Sequence, residues 1–493
     1  METQSYKSIF KATSLFGGVK VIQIFLTLLR GKIIALLLGP SGVGLNSLFM
    51  SPITMISNIT SLGLNFSAVR DIAKANESGD INKLSIIIKI FKRWILATAV
   101  IGLLSVVVFS RILSNYTFKN PDYTISFVLL SFVVFFGALT SGNASILQGT
   151  RNLKSYAMHS LAGSFVALIV SAPLYYFYGT NGIVPALIIS SIITFFYSVY
   201  YVLKVKTANV NISINETYKG GKEMLQLGLT MMLATSIGSA VHYFINTFIS
   251  SHGSIADLGF YQAGMSIISQ SVGLVFSAMA IDYYPRLAAI SEDNNKVRKM
   301  ANQQGEITML ITAPVLASVI IFTPLVINIL LSSDFLIIIN FIRVLSLGMI
   351  FKAASYSIGA ISFAKGDKKV FFFLEGIYMN ASILLFSILG YKINGLMGLA
   401  IGYLLMHLIY FVIINIVTYV KYDFYISKDL IKILSISILL VTSLFLSSLF
   451  VLGVLKHAIS ISILIILFYY CYYNLDKLIG IKEMLSKVFR RQS

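Results

Sequence analysis

The chain has 493 residues, 57% of them hydrophobic and only 12% charged, with 38 Lys and Arg against 19 Asp and Glu and a net charge of +19. A soluble domain carries about 25% charged residues, so half the usual polar coating is missing, and a mean hydropathy of +0.84 excludes a water-soluble globule. The single cysteine, Cys471, excludes an intramolecular disulfide framework and a cysteine-cluster metal site, and no HExxH, CxxC or GxxxxGK[ST] run is present, so no metal or cofactor is expected.

A membrane-crossing helix needs about 20 mostly apolar residues, because hydrocarbon offers no partner to its backbone. Fourteen segments meet that need: 14–38, 43–66, 94–113, 124–147, 157–178, 183–203, 225–250, 259–282, 305–331, 338–363, 370–390, 396–419, 432–453 and 459–475. The first carries Lys20, Gln23, Thr27 and Arg30 within an arc of about 80° at helical periodicity, with Lys32 close by. The second carries Ser51, Thr54, Asn58, Ser61 and Asn65 on a similar stripe. The third to sixth are far more uniformly apolar. Polar stripes return in the seventh, with Thr235, Ser239, His242 and Asn246, and in the eighth, with Gln262, Ser266, Ser269 and Gly273. The tenth contains Arg343 and Lys352, and the last two have almost no polar residues beyond Ser. Prolines at 52, 173, 314 and 324 are candidate bending points, or static kinks.

With the N-terminus placed in the cytoplasm, the inner loops hold 29 Lys and Arg and the outer ones four: Arg111, Lys119, Lys392 and Lys456. That asymmetry predicts an even number of crossings with both termini cytoplasmic. Basic inner loops facing anionic headgroups account for the net charge, so nucleic acid is not an expected partner. The outer loops are too short for an extracytoplasmic catalytic domain.

Gly44 in GPSGVGLNSLF (39–49) aligns with Gly259 in ADLGFYQAG (256–264), and this register also aligns NFSAVRDIA (65–73) with AIDYYPRLA (280–288). The expected fold is therefore all-α and polytopic: two parallel six-helix bundles around a central cavity, plus two C-terminal helices. The expected divisions are 1–203, a cytoplasmic linker 204–224, 225–420, and 421–493 with a basic cytoplasmic tail.

An unbalanced cation at mid-bilayer costs about 2.5–3.5 kcal/mol on insertion scales, so such residues usually face protein or water. The stripes are expected to line the cavity, with Lys20, Arg30, Lys32, Asn58, His242, Asn246, Gln262, Arg343 and Lys352 as the candidate binding set. Cations of this kind suit an anion such as phosphate or pyrophosphate. Other readings stay open: isolated Ser and Thr as interhelical hydrogen bonders, snorkelling or a structural ion pair for Lys32, Lys352 and Arg343, and a neutral or proton-linked role for His242.

The runs LRGKIIALLLGPSGVGLNSLF (29–49), ILQGTRNLKSYA (146–157), IDYYPRLAAISEDN (281–294), LLSSDF (330–335) and SLGMIFKAASYSIGAISFAKGDKK (346–369) resemble the Wzx-type O-antigen and polysaccharide flippases. Those belong to the multidrug/oligosaccharidyl-lipid/polysaccharide (MOP) exporter superfamily, and the likeness spans about residues 10–420. It implies transport rather than catalysis: an undecaprenyl-pyrophosphate-linked oligosaccharide moved from the cytoplasmic to the outer leaflet by alternating access. Membrane lipids, H+ or Na+ as coupling ion and polysaccharide-assembly proteins are the implied partners. The competing reading is a multidrug/cation antiporter of the same superfamily, which calls for buried carboxylates on the first or seventh helix. Neither helix has one in its span.

Overall fold

The computed structural model describes residues 2–450, 453–480 and 482; the side chains of residues 1–17 and of Lys20, and the basic tail after 482, lie outside the described residues. The secondary structure is helical throughout those residues. In order come α1 (Glu2–Thr60), α2 (Leu64–Glu77), α3 (Ile81–Phe118), α4 (Thr124–Gly149), α5 (Leu153–Tyr178), α6 (Ile183–Val202) and α7 (Ile214–His252). They are followed by α8 (Ile255–Ala289), α9 (Asn294–Leu330), α10 (Ile339–Ala364), the short α11 (Lys368–Phe371), α12 (Met379–Tyr422), α13 (Lys428–Phe450) and α14 (Gly453–Ile479).

Among the described residues, nine helical stretches are long and apolar enough to cross a membrane, and two bent pairs add one crossing each. Three of the nine, of 40, 50 and 55 residues, can cross twice, since 40 residues at 1.5 Å each span about two hydrocarbon thicknesses. The expected fourteen crossings result. Turns inside the long stretches follow local chemistry. The α1 helix breaks at Gly39 (φ 62, ψ −168), a conformation open essentially to glycine, directly before Pro40. The α12 helix folds back at Asn394 and Gly395, and beyond the turn a Cβ on Gly398 would stand 1.8 Å from the Gly390 carbonyl oxygen, so its arms touch backbone to backbone. Two further bends, in α7 between Gln226 and Met231 (53°) and in α8 between Gly273 and Val275 (48°), lie away from the four candidate prolines.

The chain forms two compact units, Met1–Gly259 with Leu330–Ser332, and Phe260–Ile329 with Ser333–Ser493. The first unit extends to Gly259 because α7 packs on α1, α2 and α3. Glycine makes that approach possible: a Cβ on Gly63 would lie 2.0 Å from the Gly228 carbonyl oxygen.

Within the first unit the two glycines aligned by the internal repeat form a reciprocal contact. A Cβ on Gly44 would stand 2.0 Å from the carbonyl oxygen of Ile255, and one on Gly259 would stand 1.9 Å from that of Pro40. Each glycine meets the carbonyl four residues before the other, as a local two-fold relation requires.

The repeat also appears in how each six-helix half secures the segment after its sixth crossing. In the first, Lys89 donates to the Val210 carbonyl, Arg93 Nη1 donates to Ile212 O (2.9 Å), Ser213 O (3.2 Å) and Thr217 Oγ1 (2.6 Å), and Trp94 Nε1 donates to Thr217 O (3.0 Å). In the second, Arg298 Nη1 donates to Asp423 O (3.4 Å), Asn302 Nδ2 donates to Tyr425 O (3.1 Å), and Ser427 N donates to Asn302 Oδ1 (2.8 Å). The anchoring residues sit on α3 and α9, corresponding helices of the two repeats.

Candidate functional site

The polar residues singled out in the sequence fall into two groups by unit. In the first, Arg30 is partly buried and its Nε, fully shielded, has no hydrogen-bond partner among the described residues. Gln23 donates to Ser160 Oγ on α5, which ties that stripe to a neighbouring helix. Asn58 is partly buried, and its carbonyl accepts from Ser61 Oγ (2.9 Å). On α7, Thr235 and His242 are exposed while Asn246, one turn beyond His242, is 4% exposed. The stripe therefore dives into the packing at Asn246. Lys32, His242, Asn246 and, in the second unit, Gln262 all have interaction partners. The Lys20 side chain lies outside the described residues.

In the second unit the two expected cations part company. Arg343 is 6% exposed, and its Nε donates to the Ile320 carbonyl of α9 (3.2 Å) while Nη1 donates to Asn340 Oδ1 (3.2 Å). The first of these bonds joins α10 to α9. Lys352 lies with Ser355, Tyr356 and Gly359 along one face of α10, at i, i+3, i+4 and i+7. That face borders a cavity of about 390 Å³, walled by Met279, Tyr283 and Tyr284 of α8, Glu375 and Tyr410.

Glu375 reaches the cavity from a π-helical turn, Phe372–Tyr378, which follows α11. Such turns displace a side chain from the α-helical register and often mark functional positions. The N-terminus of α11 is set by Asp367, which caps Val370 N (3.1 Å) and accepts from Tyr422 Oη (3.0 Å). The Val370 N–H, with smaller help from Tyr422 and Lys421, holds the Asp367 carboxyl below the usual range. Tyr410 of α12 donates its hydroxyl to Glu375 Oε1. Gly359 provides the room: a Cβ there would stand 3.2 Å from Glu375 Oε1 and 3.5 Å from Tyr410 Oη. Two more hydroxyls of the wall are committed elsewhere, Tyr283 to Ser357 O (2.8 Å) and Tyr356 to Phe276 O (3.3 Å).

Glu375 and Tyr410 are functional candidates that the polar-stripe reading missed. Neither belongs to one of the four polar stripes. The available signal was a carboxylate near an inner helix end, one helix after a buried lysine. Among the described residues no group of His, Cys, Asp and Glu could hold a metal ion.

The described residues form a polytopic, all-α fold of the kind found in transporters of the MOP superfamily. The chain aligns with an inward-facing multidrug resistance MATE family transporter of the MOP superfamily (TM-score 0.67, 16% identity, 80% of this chain and 94% of that one). It also aligns with the lipid II flippase MurJ in an inward closed conformation (TM-score 0.66, 18% identity, 95% and 99%). Residues 33–340, more than half of the sequence, match the polysaccharide biosynthesis protein family, and the chain belongs to that family. It is 21% identical over 415 residues to the lipid III flippases of Escherichia coli K12 and Shigella flexneri, covering 82% of this chain and 96% of each of theirs. The resemblance carried by the sequence motifs is thus upheld.

Proposed function

We propose that this protein is a flippase that carries an undecaprenyl-pyrophosphate-linked oligosaccharide from the cytoplasmic to the outer leaflet of a bacterial inner membrane, with both termini cytoplasmic. The observation that carries the reading is the alignment with lipid III flippases along 96% of their length, inside a polysaccharide biosynthesis family. Membrane-embedded cations support it: Arg30, Lys32 and Lys352 lie on mainly apolar helices, where positive charge favours a phosphate-bearing substrate. Asn58, His242 and Gln262 are polar enough to accommodate a glycan. Transport is driven in this reading by conformational exchange coupled to H+ or Na+, with no chemical step on the substrate.

The antiporter reading draws on the MATE-like fold. A cationic drug needs an unbalanced carboxylate, and the buried Glu375 shares its cavity with Lys352, which weighs against it. The test is restoration of surface polysaccharide in a strain lacking its own flippase, with protein level measured alongside. Wild type is expected to restore it and Arg30→Ala to lose it. Restoration of drug efflux without polysaccharide would overturn the proposal.

A further inference from the structure

The side chain of Lys352 has no ion pair within 4.0 Å: the ion pairs among the described residues are Arg70–Asp71, Arg151–Glu77, Arg286–Asp282, Lys296–Asp293 and Arg298–Asp423. No described hydrogen bond ends on its Nζ either; only its carbonyl is used, by Ser355 Oγ (3.0 Å). Glu375 is the carboxylate that acts on it electrostatically, yet that carboxylate is tied to Tyr410 instead. The cavity thus contains an ammonium group whose donors are not consumed, and a carboxylate anchored away from it. A charge held in an apolar surrounding needs a counter-charge with hydrogen-bonding capacity.

We propose that Lys352 is the recognition group of an oxyanion site in the second unit, taking a phosphate or diphosphate, and that Glu375 is its resident counter-ion. With the site empty, Glu375 balances Lys352 across the cavity. When an oxyanion arrives it takes the three ammonium donors, and Tyr410 keeps the displaced carboxylate from following. Gly359 is part of the device, because a side chain at that position would press on both Glu375 and Tyr410. Under the flippase reading, on which this extension rests, the ligand is the diphosphate of the lipid-linked sugar. Headgroup phosphate from an anionic lipid offers the same chemistry.

The test is binding of inorganic pyrophosphate to the purified full chain in nanodiscs, measured by calorimetry. Lys352→Met is expected to weaken binding about tenfold to a hundredfold, the worth of one charge-assisted hydrogen bond. Lys352→Arg, which keeps the charge, retains most of it and guards against a folding artefact. Glu375→Gln is expected to tighten binding by about threefold or more, because a competing negative charge is gone. Nanodiscs of phosphatidylcholine and of phosphatidylglycerol separate the sources: weaker binding in the anionic lipid, abolished by Lys352→Met, identifies a headgroup as the occupant, and equal binding identifies the diphosphate. Wild-type affinity in both Lys352→Met and Glu375→Gln overturns the site. Failure of the wild-type protein to restore surface polysaccharide, with these binding shifts intact, would count against the flippase reading alone.

Discussion

Arg343 completes a hydrogen bond that Pro324 removes. In an unbroken helix the Ile320 carbonyl would accept from residue 324, but proline has no N–H. The Arg343 Nε fills the vacancy from the neighbouring helix at 3.2 Å, with Thr323 Oγ1 assisting at 3.3 Å. Arg343→Met should destabilise the protein by about 1.5–3 kcal/mol, the worth of a charged hydrogen bond in a buried setting. In a Pro324→Ala background, where the helix supplies its own donor, the same change should cost clearly less. Thermal unfolding in detergent across the double-mutant cycle measures the difference, and additive effects would contradict the pairing.

The reciprocal glycines give a steric prediction. Gly44→Ala and Gly259→Ala each drive a methyl into a backbone carbonyl, which cannot yield as a flexible side chain can. Both should impair transport strongly, whereas Gly31→Ala, with nothing within 4 Å of its added methyl, should behave as wild type. Gly39→Ala should cost about 1–3 kcal/mol through its backbone angle alone, since the space around it is open. Complementation combined with melting temperature separates the two mechanisms.

Accessibility along α7 should change within one turn. Single cysteines at Thr235 and His242 are expected to react with a water-soluble maleimide, while one at Asn246 should be as inert as one at Val106, which is fully buried. Equal reaction at His242 and Asn246 would mean that the stripe continues as an open face.

Arg93 makes three of the bonds that hold the linker to α3. Arg93→Ala should expose residues 204–213 to limited proteolysis several-fold faster than in wild type, with little effect on cleavage at other loops. Gel analysis of a timed digest reads this directly, and unchanged cleavage would assign the restraint to Lys89 and Trp94.

Much of the fold was legible because hydrocarbon imposes a simple rule, that about 20 apolar residues make one crossing. The alignment of Gly44 with Gly259 anticipated two positions that turn out to meet each other's helical backbone. The site was less legible, for a physical reason. The carbonyl orphaned by Pro324, 19 positions before Arg343, is a partner that no local pattern around Arg343 announces. Glu375 reaches Lys352's cavity only because a π turn rotates it there, and a 3.6-residue period does not anticipate that rotation. The placement of α7 in the first unit depends on Gly63 meeting Gly228, a long-range contact with no local signature.

The anchoring of the linker has a consequence for how this chain can vary. Lys89, Arg93 and Trp94 mostly grip main-chain oxygens, those of Val210, Ile212, Ser213 and Thr217, and the main-chain N–H of Ala208 donates to Ser85 Oγ (2.7 Å). Every residue type offers that carbonyl, and every one but proline offers that N–H. The lashing is therefore largely blind to the letters it holds. The exposed side chains at 206, 207, 209 and 211 can be exchanged while the path of the segment and the starting point of α7 are kept, whereas Val205 and Ile212 pack inward. An insertion or deletion of a single residue there would shift every knot at once.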